Sequence, residues 1–198
     1  FRRVLFRSTH KSRKDGGSDM YVAKFTPDGS EMVFATYLGG SGGWFNEQGD
    51  GFIARLSPSG ELMAATFYGG SSGDGLEGVQ VDAEGRVHVT GGTYSDDLLL
   101  LRPVALPHPP AHRRPEAWAA VFSPELDRLL FATYHGGTSW DLGRCAALHA
   151  DGTFYMGGET RSDDFPTVNA VVPNLMGQKN GTLVQMKPIA TDVRKPEQ

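Results

Sequence analysis

Residues 51–70 read GFIARLSPSGELMAATFYGG, and residues 117–137 read AWAAVFSPELDRLLFATYHGG. A third copy, MYVAKFTPDGSEMVFATYLGG, occupies residues 20–40. Each copy has an apolar segment, a Ser-Pro or Thr-Pro turn, a second apolar segment that contains Ala-Thr, and a closing Gly-Gly pair. Short apolar segments separated by turn residues are typical of β-hairpins, and their recurrence indicates a repeat protein.

A second recurring segment follows the hairpin in the two later copies. Residues 75–98 read GLEGVQVDAEGRVHVTGGTYSDDL, and residues 142–165 read LGRCAALHADGTFYMGGETRSDDF. Three pairs of equivalent positions are each 67 residues apart: Gly69 and Gly136, Gly85 and Gly152, and Asp96 and Asp163. Each half supplies two strands, and four-stranded units that repeat at a fixed spacing are typical of a β-propeller.

Strand positions within a unit follow from the turns. In the second unit we predict strands at 52–56, 62–68, 78–82 and 86–93. The turns at 82–85 and 149–152 both end in glycine, which suits a hairpin turn that needs a positive φ. The segments MYVAKF and FIARL are apolar or small at most positions, which is typical of strands covered on both faces. The predicted fold class is all-β: a partial β-propeller of about three four-stranded antiparallel blades, incomplete at both ends.

Composition restricts the functional classes. The net charge of −4 gives no reason to expect a nucleic-acid partner, because such binding depends on neutralising phosphates. The longest wholly apolar run, at 98–101, is far shorter than the roughly 20 residues of a membrane span. With one cysteine, Cys145, the chain has no intrachain disulfide.

The predicted organisation has three regions. We expect residues 1–15 to be non-native or disordered, because FRRVLFRS at the start corresponds to a translated sequencing-adapter oligonucleotide. Residues 16–187 carry the repeats, and 188–198 form a C-terminal tail. The predicted boundaries within the repeats are a partial unit at 16–49, a full unit at 50–97, a Pro-rich inter-blade loop at 98–116, a second full unit at 117–164, and a connection with the start of the next unit at 165–187.

The repeat resembles the SBBP repeat of bacterial β-propeller proteins. The resemblance rests on MYVAKFTPDG, ATYLGGSG, VQVDAEGRVHVTGGTYSDD and ETRSDDFPTVNA, and it covers nearly all of residues 16–187. It implies a propeller fold within a large secreted or surface-attached bacterial protein, and therefore an extracellular or cell-surface location. The family has no general catalytic signature to carry over to this sequence.

The repeats are incomplete. The first unit lacks a second half, because Gly39 and Gly69 are only 30 residues apart, and the last copy, GTLVQMKP, ends after one strand. The predicted strands number about two, four, four and one, whereas a closed propeller has about 4–8 blades. We therefore expect a fragment of a longer chain, whose remaining blades are its first partners.

Candidate ligand-facing residues lie at the loops. They are two tryptophans after Gly-Gly turns and two adjacent carboxylate pairs: Trp44, Trp140, Asp96, Asp97, Asp163 and Asp164. Adjacent carboxylates bind Ca²⁺ or act as acid and base in some proteins. Here both pairs occupy the same repeat position, which favours a structural role at a strand exit. No catalytic residue, bound cofactor or metal site is predicted, with Ca²⁺ left as the one alternative.

Two further residues carry reactive groups but favour a structural interpretation. His88 aligns with Tyr155, so we expect a packed or partly exposed strand residue and not a metal ligand. Cys145 aligns with Gly78 on the third strand, and we expect a buried, inert thiol. We also expect Trp118, inside a repeat strand, to belong to the core.

Three functional hypotheses remain at this point. The first is a non-catalytic scaffold or interaction module that binds protein or glycan partners through its loops. The second is part of a propeller enzyme that acts on polysaccharide, which would need carboxylates converging from non-equivalent positions. The third is a Ca²⁺-binding surface module. The fold alone does not choose among them, since propellers support many activities.

Overall fold

A computed structural model describes residues 20–38, 49–103 and 114–187, which form eleven strands and no helix. The predicted all-β class is confirmed, while the segments at 1–15 and 188–198 lie outside the described residues. The strands are β1 (Met20–Phe25), β2 (Met32–Leu38), β3 (Gly51–Leu56), β4 (Leu62–Tyr68), β5 (Asp74–Val81), β6 (Val87–Thr93), β7 (Glu116–Phe122), β8 (Leu129–Tyr134), β9 (Asp141–Leu148), β10 (Phe154–Thr160) and β11 (Asn180–Met186).

The turns within the second half of each unit have the predicted geometry. Gly85 and Gly152 have φ of +80° and +83°, and each donates its N–H to the carbonyl three residues earlier at 3.0 Å. The strands of the second unit agree with the prediction to within one residue, except that β5 begins at Asp74 and not at residue 78. It starts earlier because residues 74–76 pair with β6 beyond a bulge between Leu76 and Gly78.

The Ser/Thr-Pro turns differ at one position. Gly29 and Gly60 adopt positive φ values of 72° and 89°, but the third turn has Leu126 there, with φ of 58°. A leucine in the left-handed region is strained. Its side chain is buried and packs in the core beside β7, which offsets that cost.

The hydrogen-bonded sheets are out of phase with the sequence repeat. The complete sheet has four antiparallel strands in the order β5-β6-β7-β8, so it joins the second half of one unit to the first half of the next. A three-stranded sheet has the order β11-β10-β9, and β1-β2 and β3-β4 form two-stranded sheets. Because β6 pairs directly with β7, the Pro-rich segment 98–116 connects two neighbouring strands of one sheet. Its predicted role as a crossing between blades was wrong.

The start of that Pro-rich connection covers a sheet edge. Leu101 and Ala132 of β8 exchange backbone hydrogen bonds of 2.8 and 3.1 Å. Unpaired strand edges invite association with other chains, so this contact shields the outer edge of the four-stranded sheet. Residues 104–113 lie outside the described residues.

Both faces of the four-stranded sheet are buried around β7. Trp118, Ala120 and Phe122 face a cluster shared with β3 and β4, and the alternate residues Ala119 and Val121 face a cluster shared with β10 and β11. Every residue of β6 and β7 is buried. Coverage on both faces, predicted for FIARL, therefore occurs in these inner strands, whereas Arg55 of β3 is exposed.

Glycines let the sheets approach closely. A Cβ at Gly78 of β5 would lie 2.8 Å from the amide nitrogen of Ala146 in β9, and one at Gly143 would lie 2.1 Å from Oγ1 of Thr90. The described residues form no closed sheet, and the propeller arrangement stays a prediction. Among these residues no helix is long and apolar enough to cross a membrane.

Candidate functional site

Two equivalent polar clusters lie at the ends of paired strands. One lies where β5 begins beside the end of β6, and the other where β9 begins beside the end of β10. We define the Asp74 cluster as Asp74, Thr93 and Ser95. Asp74 opens β5 opposite Thr93, the last residue of β6. Its carboxylate accepts hydrogen bonds from the Thr93 hydroxyl, from the Ser95 hydroxyl at 3.0 Å and from the Gly70 N–H at 2.7 Å. Burial raises the pKa of Asp74, and the bonds from Thr93 and Gly70 oppose that rise.

A similar arrangement, in which the serine and loop N–H bonds are kept, recurs one unit later. We define the Asp141 cluster as Asp141, Thr160 and Ser162. Asp141 is fully buried opposite Thr160, and its Oδ2 accepts from the Gly137 N–H at 2.8 Å and from the Ser162 hydroxyl at 2.6 Å. Its Oδ1 is buried with no hydrogen-bond partner among the described residues.

A second acid stands beside each cluster. Asp50 precedes β3 and Glu116 opens β7, at equivalent repeat positions. A Cβ at Gly136 would lie 2.2 Å from Glu116 Oε1 and 2.7 Å from Asp141 Oδ2, so the two carboxyls converge on this glycine and a larger residue would displace them. Burial, followed by the charges of Asp141 and Asp164, raises the pKa of Glu116 to about 9. Glu116 is therefore protonated at neutral pH, while Asp50 is exposed.

The predicted carboxylate pairs sit just beyond these clusters. Asp97 Oδ1 accepts from the N–H and hydroxyl of Ser71 at 2.8 and 3.1 Å. Asp164 Oδ1 accepts from the N–H and hydroxyl of Thr138 at the same two distances. The hydrogen bonds from Ser71 hold the pKa of Asp97 below its usual range. One aspartate of each pair, in the segment after β6 or β10, is thus hydrogen-bonded to the loop that follows the preceding Gly-Gly pair.

The other aspartates and the tryptophans are more dispersed. Asp96 and Asp163 are exposed neighbours of these loop-tying residues. Trp140 is half-buried, with the Arg161 guanidinium 5.1 Å from its ring centre. Trp44 lies outside the described residues. Trp118 is fully buried, which confirms its predicted place in the core.

The structure confirms the prediction for His88 but not the one for Cys145. His88 is 3% exposed, packs on Phe154 and bonds Asp82 through Nε2 at 2.9 Å, so it is a packed strand residue as predicted. Burial lowers the pKa of His88, and the hydrogen bond with Asp82 opposes that shift. Cys145 was predicted to be buried but is exposed; it pairs across the sheet with Gly157, which has no side chain to cover the thiol.

Sequence reasoning missed the buried acids Asp74, Glu116 and Asp141. The signal was present, since Asp74 and Asp141, Thr93 and Thr160, and Ser95 and Ser162 are each 67 residues apart. The adjacent Asp-Asp pairs are more conspicuous in the sequence than these single acids. Within residues 20–38, 49–103 and 114–187, no three His, Cys, Asp or Glu side chains are grouped to hold a metal ion.

Comparison with known proteins adds no assignment. No protein-family model matches the chain, and no curated protein matches it significantly.

We expect Asp164→Ala to destabilise the chain by about 1 kcal/mol, because it removes two hydrogen bonds that hold the 138–139 loop. The adjacent Asp163→Ala is the matched control and should change the free energy of unfolding by only a few tenths of that amount, since its side chain is exposed. Urea unfolding followed by circular dichroism measures both. Equal losses in the two variants would show that the Asp164 hydrogen bonds do not stabilise the loop.

Proposed function

We propose that the chain is a non-catalytic segment of a β-propeller, related to the SBBP repeats it resembles, within a larger bacterial secreted or cell-surface protein. Its role is that of a scaffold that presents protein- or glycan-binding loops. The observation that supports this most strongly is the four-stranded sheet β5-β6-β7-β8, in which consecutive strands are antiparallel neighbours and both faces pack against other sheets. Propeller blades have this strand order and this packing.

The polar clusters support a structural role over catalysis. Asp74 and Asp141 occupy equivalent positions, and both are engaged by serine hydroxyls and loop N–H groups of their own repeat. A polysaccharide-cleaving site needs two carboxyl groups flanking a bond that solvent-borne substrate can reach. The carboxyls that converge here, Glu116 and Asp141, are buried at 3% and 0% exposure. Repetition of a buried network suits the joining of sheets, not a single reaction centre.

Sequencing the parent gene beyond both ends of this segment tests the proposal. We expect further copies of the 67-residue unit, enough in total for about 4–8 blades, together with a secretion signal. A parent gene without further repeats would contradict the propeller, and one that encodes a catalytic domain fused to the repeats would move the function there.

Calcium should leave the stability unchanged. Oδ1 of Asp97 and Oδ1 of Asp164 already accept hydrogen bonds from Ser71 and Thr138, so a cation that binds these oxygens would compete with the two donors. We expect the melting temperatures in millimolar CaCl₂ and in EDTA to agree within the error of the measurement. A rise of several degrees with calcium would favour the calcium-binding alternative instead.

A further inference from the structure

Within the part of the chain that the structure describes, strand β3 has no counterpart of the strand that pairs with each of its equivalents. In the repeat, β3 corresponds to β7 and β11. The strand that precedes each of these in the chain pairs with one of its edges: β6 pairs with β7, and β10 pairs with β11. The pairing covers seven residue pairs in the same register in both cases. Among the described residues β3 pairs only with β4, so the edge that β6 and β10 fill elsewhere is open.

The sequence explains the open edge. The first unit has no second half, as the short spacing from Gly39 to Gly69 indicates. That half would supply the two strands equivalent to β5 and β6. The described part of the chain therefore has an unpaired edge on β3, at the place where the equivalent strands β7 and β11 are paired with β6 and β10.

A groove runs along this edge. It has a volume of about 630 Å³ and is lined by Ile53, Ala54 and Arg55 of β3 and by Val79 and Val81 of β5. Val79 and Val81 are 51% and 60% exposed, although they stand on a strand whose opposite face packs on β9. Neighbouring residues of a strand point to opposite faces, so Gly78 faces β9 while the two valines face the groove.

The groove is held in shape from both sides. Arg55 donates from Nη1 to the carbonyl of Pro124 at 3.1 Å, which ties β3 to the turn after β7. On the other wall, Val79 and Val81 pair with Val89 and Val87, which are buried in the core. An exposed apolar wall next to an open strand edge is the arrangement in which an added strand gains both hydrogen bonds and apolar contact.

We propose that this groove binds a β-hairpin that has the pattern of the second half of the repeat: two short antiparallel strands, the second ending in Gly-x-Thr. The hairpin is supplied by another repeat of the parent protein, so the inference rests on the proposed scaffold function. Its last strand pairs with β3 and its first strand covers Val79 and Val81. The register follows from the filled sites: its threonine lies opposite Asp50, as Thr93 lies opposite Glu116 and Thr160 opposite Asn180.

Binding of a synthetic peptide tests the inference directly. The probe is a fluorescently labelled peptide with the sequence of residues 74–93, DGLEGVQVDAEGRVHVTGGT, titrated with the full chain and followed by fluorescence anisotropy. We expect saturable one-to-one binding. Val79→Asp should weaken it by about tenfold or more, because the variant places a charge on the apolar wall. Leu183→Asp is the matched control, since Leu183 is an equally apolar residue, 76% exposed on β11 and outside the groove, and it should bind as wild type.

A second measurement covers the case in which the peptide does not fold on its own. Replacing residues 41–49 with a copy of residues 71–115 restores the missing half in the same chain. We expect a melting temperature several degrees higher, and no rise when the two glycines copied from positions 91 and 92 are changed to valine. The absence of both peptide binding and this stabilisation would overturn the inference, as would peptide binding that Val79→Asp leaves unchanged.

The alternative occupant is a second copy of the chain. Sedimentation would then show a dimer that Val79→Asp dissociates and that excludes the peptide, and this result would also overturn the inference. Neither of these negative results would contradict the proposed scaffold function, because that function is tested separately by counting the repeats in the parent gene.

Discussion

Replacing Gly91 with alanine is expected to destabilise the chain by about 3 kcal/mol, or to prevent folding, because the added methyl group meets backbone and not a movable side chain. A Cβ at this position would lie 1.9 Å from the carbonyl oxygen of Gly75 and 2.8 Å from its carbonyl carbon. Gly91 is buried in β6 between β5 and β7, so neither neighbouring strand is free to withdraw without loss of sheet hydrogen bonds.

Gly75→Ala is the matched control for that variant. Gly75 lies on the paired strand two positions before the bulge, is exposed, and has only the carbonyl oxygen of Gly92 within 4 Å of its Cβ position, at 3.7 Å. Its replacement should change stability by less than about 1 kcal/mol. Urea denaturation monitored by circular dichroism measures both variants. If the two midpoints coincided, the close approach of β5 and β6 at Gly91 would be refuted.

Replacing Glu116 with glutamine is expected to stabilise the chain at pH 8 by a few kilocalories per mole and to flatten its stability profile. The pKa of Glu116 is raised from 4.5 to about 9 by burial and by the charges of Asp141 and Asp164. Between these two values the folded state keeps a proton that the unfolded state has released. The wild-type stability therefore falls as the pH rises through this window, by at most about 1.4 kcal/mol per pH unit.

Glutamine removes this loss of stability at high pH because its amide does not ionise in either the folded or the unfolded state. The chain already has a neutral amide at the equivalent position of the next unit, Asn180. Asp50→Asn is the matched control, since the equivalent Asp50 is exposed. Unfolding free energies at pH 5, 6.5 and 8 distinguish the cases. A Glu116→Gln profile parallel to that of wild type would contradict a buried, protonated Glu116.

Local features were predictable from the sequence because they depend on few residues. The turns ending at Gly85 and Gly152 and the bounds of β4 follow from glycine geometry and from short apolar segments. The phase of the sheets was not predictable in this way. A periodic sequence has the same period wherever a unit is taken to begin, and only the contact of β6 with β7, across the Pro-rich connection, decides which halves share a sheet.

The candidate site shows the same division. Asp97 and Asp164 were found because adjacent acids are conspicuous, and their loop contacts are local to the repeat. The burial of Glu116 was hidden, because it depends on the approach of β9 from the next sheet. Asp50 has the equivalent place in sequence and remains exposed, so the repeat pattern alone does not distinguish the two.

The pairing of β6 with β7 is tested most directly by NMR spectroscopy on the full chain. Cross-strand contacts between backbone protons are expected along the register from Val87 opposite Phe122 to Thr93 opposite Glu116. These contacts would show that the four-stranded sheet joins halves of consecutive repeats. Contacts that instead link β4 to β5, so that the strands of residues 50–97 form one sheet by themselves, would contradict the fold described here and the open edge on β3.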